Sequence, residues 1–202
     1  MAPGSKGGRY HHGDLRAALI EAAIALISEK GVRGFSMAEA SRRLGVAPSA
    51  PYAHFDDRDD LLAAVAVHAC QVFQAELVEH APPALGAAAR LASLARAYVR
   101  FAGFRRPLFE VLFGTGIDKA RHPEVKQAEQ PIEDLLLEAV RAVAGEGQAA
   151  ERLAIAVEAT AHGHAMLLAD GDFGSGDAAV EQAASGAAAA TLALVAGRHL
   201  LS

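Results

Sequence analysis

The chain has 202 residues, of which 52% are hydrophobic and 21% charged, so it can bury one or two ordinary cores. The formal net charge of −5 argues against a protein that coats polyanions over its whole surface. The charge is uneven, however, since residues 1–55 sum to +3 and the remainder to −8. The lone Cys70 excludes an intrachain disulfide and indicates a reducing cytoplasm, and we expect it to be a small buried residue. We expect no signal peptide, because the first residues have no apolar segment. We also expect no membrane span, because the most apolar run, residues 183–197, is too short and is mostly Ala and Gly.

Residues 1–12 contain Gly, Ser and His without periodicity, which predicts a mobile tail. Its Lys6 and Arg9 leave two alternatives open, a basic arm that reaches a nucleic-acid groove or phosphate, and a plain disordered terminus. The first helix is predicted over residues 14–30, where apolar residues recur at helical spacing and Gly31 supplies the stop.

Two short helical patterns then meet at a glycine. Ser36 and Glu39 have the spacing of a capping box at the start of helix two, which Gly45 ends. Helix three is predicted over Pro48–Phe55, with Pro48 at the first helical position, where a missing N–H costs nothing. The short link forces a sharp angle between the helices, so we predict a helix-turn-helix.

Helix three has one packing side and one side with only small residues. At about 100° per residue, the packing side carries Pro48, Pro51 and Phe55. The other side carries Ser49, Ala50 and Ala53, with Tyr52 and His54 at the margins. Small residues on an exposed face let a helix approach base edges in a DNA major groove. The alternative is a short Ala-rich helix in a bundle.

Every later segment also has a helical pattern, and no window alternates as a strand does. Helices are predicted at about 58–80, 84–104, 107–113, 122–144, 149–170 and 177–199, with Pro131 kinking or splitting one of them. The prediction is an all-α fold of about nine helices. We divide it into a tail at 1–12, a helix-turn-helix domain at 13–60 and a second domain at 61–202, with helix four connecting the two domains.

The N-terminal segment resembles the DNA-binding domain of TetR-family transcriptional regulators. The matching residues run from 10 to 65, YHHGDLRAALIEAAIALISEKGVRGFSMAEASRRLGVAPSAPYAHFDDRDDLLAAV. The resemblance implies that Ser36, Tyr52 and Arg58 contact DNA phosphates, to which hydroxyl, phenol and guanidinium groups donate. It further implies base contacts at Ser49 and Ala50 and a backbone or base contact at His54, and we add Arg43 of helix two to the DNA-binding set. Ala47 departs from the family, since Ser or Thr commonly caps helix three there.

A second, weaker resemblance lies near the C-terminus. Ala161-His162-Gly163 and Arg106-Pro107-Leu108-Phe109 are similar to the Trp-His-Gly class of TetR-family ligand-binding domains, with Ala161 in place of the Trp. The resemblance implies a small-molecule inducer and a homodimer formed by the last two helices, which are rich in Ala and contain Gly163, Gly186 and Gly197. The alternative is an Ala-rich monomeric bundle.

Five of the chain's eleven Phe and Tyr residues fall between positions 98 and 113, which is typical of an apolar pocket and equally of a plain helical core. The predicted ligand-binding set is Phe73, Leu77, Tyr98, Phe101, Phe104, Phe109, Phe113, His162 and Met166. His162 is the best polar candidate in this set, and a helix-packing role is as good an interpretation for it.

No residues have the spacing of a metal site or of a catalytic nucleophile, so we predict no metal, no cofactor and no enzymatic activity. His162 and His164 point in nearly opposite directions, and Glu133, Asp134 and Glu138 are interpreted as a solvated helix face. The sequence therefore predicts a cytoplasmic, homodimeric, ligand-responsive regulator, a repressor that binds a near-palindromic double-stranded DNA operator. The alternatives are a small-molecule carrier or enzyme that keeps the helix-turn-helix as a scaffold, and a DNA-binding structural protein without a ligand.

Overall fold

The computed structural model describes residues 12–114 and 116–201, and these contain helices without a strand among them. The α-helices are α1 His12–Lys30, α2 Met37–Leu44, α3 Arg58–His80, α4 Ala87–Phe104, α5 Arg106–Gly114, α6 Pro123–Ala144, α7 Gln148–Asp170 and α8 Asp177–Ala196. Short 3₁₀ segments occupy Val32–Gly34, Ala50–Ala53 and Arg198–Leu201. The all-α prediction is confirmed. The predicted tail lies outside the described residues, together with Lys6 and Arg9, except at His12, where α1 begins.

The N-terminal unit folds around the apolar face of α1, which packs on α2 and α3. The residues buried in this core include Leu19, Ala22, Leu26, Met37, Ala40 and Phe55. Each large apolar side chain buried here contributes about 1.5–3 kcal/mol to folding, so the helical spacing seen in the sequence marks the true core face of α1.

Both ends of α2 are capped. The hydroxyl oxygen of Ser36 accepts the N–H of Glu39 at 3.3 Å, which is half of the predicted capping box. The reciprocal half does not form, because the Glu39 carboxylate pairs with Lys30 instead. At the other end Gly45 has φ +67°, a left-handed conformation that suits glycine, and its N–H bonds to the carbonyl of Arg42.

The prediction for helix three is wrong in one respect. The segment is a 3₁₀ turn at Ala50–Ala53 and not an α-helix over residues 48–55. Pro51 explains the difference. Proline has no N–H to donate to Ala47, and its ring would crowd that carbonyl; the Ala47 carbonyl instead accepts the N–H of Ala50 at 2.9 Å. Pro51 and Phe55 pack inward as predicted, whereas Pro48 is exposed. The described chain thus has eight α-helices, and helix three is wound more tightly than predicted.

The C-terminal part is a bundle of α3 to α8 in which α4 is central and packs on α3, α5, α6, α7 and α8. Helices α4 and α8 approach closely at Gly103, where an added Cβ would lie 2.6 Å from a methyl of Val180. Arg90 is buried in α4; it donates to the carbonyl of Ala81 and to both carboxylate oxygens of Glu138. Glu138 is therefore a partner of a buried arginine as well as an exposed helix residue.

Two later boundaries differ from the prediction. Helix α6 continues through Pro131 as one helix, so the predicted split does not occur, while a kink at the proline stays a prediction. Helix α8 ends at Ala196, and Arg198–Leu201 continues as a 3₁₀ turn after Gly197.

Helices α3 and α8 are long and apolar enough to cross a membrane by length and composition alone. Half of the apolar window of α3 is buried, because α1, α4, α5 and α6 surround it. Helix α8 packs on α4 and α7 and keeps a larger exposed apolar share. Core packing accounts for the composition of α3, and an unpartnered face remains on α8.

Candidate DNA-binding face and ligand cavity

The N-terminus of α2 and the turn at 49–54 form an exposed face of the N-terminal unit. Ser36 sits at the positive end of the α2 dipole, and its hydroxyl accepts from Glu39 while its own O–H remains a donor. The Lys30 ammonium beside Glu39 lowers the pKa of that carboxyl. A donor at a helix N-terminus is a suitable ligand for a phosphate oxygen.

The turn presents a short row of small residues beside one phenol. Tyr52 is 58% exposed, and Ser49 and Ala53 are also exposed. Ala50 and His54 are half-buried. Ser49 and Ala53 of the predicted recognition face are therefore exposed, whereas Ala50 is partly covered, and their contact with DNA stays a prediction.

The two arginines of the predicted DNA-binding set have partners within the protein. Arg43 donates to both carboxylate oxygens of Glu29 at 2.7 Å, on an exposed surface. Arg58 donates to the carbonyls of Val32 and Phe35, and its guanidinium lies 4.8 Å from the centre of the Phe35 ring. Arg58 thus fixes the start of α3 to the segment before α2, while its phosphate contact stays a prediction.

A polar junction joins the N-terminal unit to the connection between α5 and α6. Asp57 caps α3, its Oδ1 accepting the N–H groups of Asp59 and Asp60 at 2.9 Å, while its Oδ2 accepts a hydrogen bond from Arg121. The Arg121 guanidinium and the backbone donor of Asp60 lower the pKa of Asp57. Next to it, the buried His122 places Nδ1 3.3 Å from Glu124 and 3.6 Å from Asp60. Sequence reasoning missed this junction.

A cavity of about 230 Å³ lies between α3, α4, α5, α6 and α7. Its apolar wall consists of Phe73, Leu77, Leu94, Ala95, Leu112, Phe113, Ile132, Leu136, Val157 and Ala161. The volume is below the roughly 300–1,000 Å³ typical of drug-sized pockets, so the cavity suits a fragment-sized, mainly apolar ligand.

The predicted ligand-binding residues separate into three groups, apart from His162, which lines neither of the two spaces described here. Phe73, Leu77, Tyr98 and Phe113 line the cavity. Phe104, Phe109 and Met166, again with Phe113, line a second groove of about 500 Å³ beside the connection between α7 and α8. The structure places Phe101 in the core with no exposed surface, since it stacks on Phe73 at 4.5 Å between ring centres. Phe113 alone borders both spaces.

Tyr98 and His162 form the polar centre of the aromatic cluster. The Tyr98 hydroxyl lies 2.9 Å from Nδ1 of His162, and the His162 ring is 5.3 Å from that of Phe113. Burial, together with the nearby charge of Glu158, strongly raises the pKa of Tyr98, so the phenol is neutral at any ordinary pH. His162, which does not line the cavity, is thus the hydrogen-bond partner of the Tyr98 hydroxyl. His164 has other partners, the Thr160 carbonyl and the Phe173 ring.

The charged rim of the cavity was not recognised in the sequence. Lys119, Glu129, Glu133 and Glu158 line it, with Lys119 2.7 Å from both carboxylate oxygens of Glu129. Cys70 also lines the cavity, buried as predicted, and burial raises the pKa of its thiol to about 11. Glu133 is exposed, as expected for a solvated helix face, and also lines the cavity. Its i, i+4 spacing from Glu129 is the sequence signal for a shared rim.

Two protein-family models match the chain. The model described as bacterial regulatory proteins, tetR family, matches residues 19–65. The model described as tetracyclin repressor-like, C-terminal domain, matches residues 91–192, half of the chain. Neither description names a Trp-His-Gly class, so that subclass stays a prediction. No curated protein matches the sequence significantly.

Solved structures match over nearly the whole length. A protein of unknown function from Rhodococcus sp. RHA1 is 33% identical, with a TM-score of 0.73, covering 92% of this chain and 97% of its own. A tetR-family regulatory protein from Rhodococcus RHA1 is 18% identical, with a TM-score of 0.72 and coverage of 90% and 96%. A putative transcriptional regulator from Pseudomonas aeruginosa PAO1 is 22% identical, with a TM-score of 0.73 and coverage of 95% of each chain. Because these last two structures are 18% and 22% identical to this chain, their likeness shows the fold alone.

Proposed function

Because the chain belongs to the TetR family of bacterial regulatory proteins, we propose that this ligand-responsive, DNA-binding transcriptional regulator is a cytoplasmic repressor. It binds a near-palindromic operator as a homodimer and leaves it when a small apolar or amphipathic molecule occupies the cavity between α3 and α7. The observation that carries the proposal is that α3 connects an exposed recognition turn, which lies just before its first residue, with an apolar cavity that α3 itself lines.

The exposed turn supports DNA binding that depends on backbone contacts. Ser36 and Tyr52 offer hydroxyl donors to phosphates, and Ser49 and Ala50 lie where base edges would come close. No Arg, Asn or Gln stands at 49–54 to make a bidentate base contact. Sequence preference therefore depends substantially on DNA shape and on the spacing of the two half-sites.

A gel shift with DNA that flanks the gene tests this role. We expect a sequence-specific complex that weakens as salt rises, because phosphate contacts release counterions. Tyr52→Ala should weaken it, while Val78→Ala, a similarly exposed apolar residue near the far end of α3, should not. A carrier or enzyme that keeps the N-terminal unit as a scaffold would bind small molecules without any such shift.

The exposed faces of α7 and α8 support the homodimer. The exposed residues Ile155, Ala159 and Met166 follow helical spacing on α7. The exposed residues of α8 with the same spacing are Gln182, Ser185, Ala189, Leu192 and Ala196, all without charge. An uncharged stripe along two adjacent helices is typical of a subunit interface.

Oligomeric state is measurable by light scattering after gel filtration. Ala189→Lys places a charge in the centre of the proposed interface, which should yield a monomer with weakened operator binding. Ala142→Lys, a change of equal chemistry at an exposed position of α6, should remain a dimer. A wild-type monomer that still binds DNA tightly would contradict the arrangement.

A further inference from the structure

We infer that the ligand of the cavity is a cationic amphiphile, a molecule with an aromatic or alkyl body and an amine at one end. The inference rests on the proposed function, since it assumes that this cavity is the effector site. It specifies the ligand's charge, which the fold alone does not.

The rim of the cavity has an uncompensated negative charge. Its one cation, Lys119, is held by both oxygens of Glu129 at 2.7 Å, so these two residues neutralise each other. Glu133 on α6 and Glu158 on α7 line the same cavity and make no hydrogen bond or ion pair with the described residues. No arginine lines the cavity. Two carboxylates therefore face an entering ligand without a cation of the protein between them.

The field of Glu158 extends to the cavity wall. Its charge is the second cause, after burial, of the raised pKa of Tyr98, which lines the same cavity. A bound ammonium would lie between Glu158 and the electron-rich faces of Tyr98 and Phe113, where carboxylate and ring both attract a cation. A carboxylate ligand would meet repulsion at the same position, because it would have to displace Lys119 from Glu129 to find a partner.

The apolar wall determines the other end of the ligand. Phe73 and Leu77 on α3 and Leu94 on α4 are nearly fully buried beside the cavity. They offer no hydrogen-bonding group, so a polar tail would lose its water without compensation. The ligand's body is consequently apolar, and its size is that of a single aromatic ring with a short alkyl chain.

Three probes with one skeleton separate charge from shape: 4-phenylbutylamine, 4-phenylbutanol and 4-phenylbutyrate. Binding is measured by calorimetry with the full-length protein. Each exposed ion pair contributes up to about 1 kcal/mol, or about fivefold in affinity. We expect the amine to bind about tenfold more tightly than the alcohol, and the carboxylate more weakly than either.

The Glu133→Gln, Glu158→Gln double variant should reduce the preference for the amine over the alcohol to less than about threefold, mainly by weakening the binding of the amine. Glu79→Gln, an exposed change on α3 away from the cavity, should keep the full preference, and circular dichroism checks that each variant folds. Equal binding of amine and alcohol, tighter binding of the carboxylate, or binding by none of the three would overturn the inference. The proposed function fails separately, if no small molecule that binds the cavity releases operator DNA in the gel shift.

Discussion

Ala47 precedes the recognition turn and gives it no side-chain cap. The backbone carbonyl of Ala47 accepts the N–H of Ala50, but no side chain caps the turn. Ala47→Ser adds a hydroxyl that can accept a backbone N–H of the first turn, an effect of about 1 kcal/mol in a full helix. We expect the melting temperature to rise by up to about 2–4 °C, measured by thermal denaturation. Ala38→Ser, at an exposed position in the first turn of α2, which Ser36 already caps, is the control and should not raise it. An equal rise in both variants would contradict the capping argument.

Asp57 divides its two carboxylate oxygens between two tasks, which makes its ion pair separable from its cap. In Asp57→Asn the amide oxygen can keep the cap of α3, while the amide nitrogen meets Arg121 without attraction. The folded-state pKa of Asp57 lies below its unfolded value, so the pair stabilises the fold above the unfolded pKa. This contribution is lost as pH falls through the folded pKa.

We therefore expect urea unfolding to show that Asp57→Asn is less stable than the wild type at pH 7. This gap between the two free energies of unfolding should close as the pH falls below about pH 4 towards pH 3. The comparison isolates Asp57 from Glu39 and Glu138, whose pKa values are also lowered by cationic partners and which are unchanged in the variant. A gap independent of pH would show that the ion pair has no part in the difference.

Residue identities predicted the core of the N-terminal unit better than the cavity. The burial of Phe55 and Pro51 follows from their phase along a short helix. Cavity membership depends instead on how helices distant in sequence pack, as the separation of Phe101 from Tyr98 shows. The two lie one turn apart on α4, yet one is core and the other lines the cavity.

At the scale of elements, the helix order was readable because glycines and prolines mark most boundaries. Helix three differs from the prediction for a local reason. Pro51 packs inward as its phase predicts, but its missing N–H prevents an α-helix over residues 48–55. Pro131 had the opposite outcome, because α6 absorbs the proline within a long helix packed on α3, α4 and α7. Proline's local effect is decided by the length and packing of the element around it.

The crossing of α4 and α8 depends on Gly103. Gly103→Ala would gain up to about 1 kcal/mol of helix propensity, but its Cβ would lie 2.6–2.7 Å from both methyls of Val180. Val180 is buried and β-branched, so it moves little, and overpacking of this kind costs about 1–3 kcal/mol. We expect Gly103→Ala to destabilise the protein in urea unfolding.

The Val180→Ala change provides the control. In the double variant the clash is absent, so Gly103→Ala should be neutral or stabilising in the Val180→Ala background. The same loss of stability in both backgrounds would place the cost of Gly103→Ala elsewhere than at this helix crossing.

At the scale of the molecule, one short connection contacts both functional regions. Residues 116–122 carry Lys119, which is paired at the cavity rim, and Arg121, which is paired to Asp57 at the start of α3. Arg58, the residue after Asp57, donates to the carbonyls of Val32 and Phe35 in the segment that precedes α2. A ligand that disturbed Lys119 would therefore act, through two residues of one connection, on α3, the helix that follows the recognition turn.

This connection gives a prediction about the response to ligand. Arg121→Gln breaks the contact with Asp57 while leaving the cavity intact, so ligand affinity should stay within about twofold of wild type. Allosteric coupling in proteins is typically about 1–3 kcal/mol, a change of about 5- to 150-fold in operator affinity. In Arg121→Gln we expect the ratio of operator affinities without and with ligand to fall. It should not fall to one, because α3 itself lines the cavity with Phe73 and Leu77.

The measurement is operator affinity with and without saturating 4-phenylbutylamine, or any other molecule found to bind the cavity. Arg141→Gln is the matched control, since its ion pair with Glu146 lies at the far end of α6, and it should keep the wild-type ratio. Linkage requires that operator DNA weaken ligand binding by the same factor, so calorimetry with and without DNA must give the same ranking of the three proteins. An unchanged ratio in Arg121→Gln would mean that the signal travels along α3 alone, and the junction at Asp57 would then serve stability only.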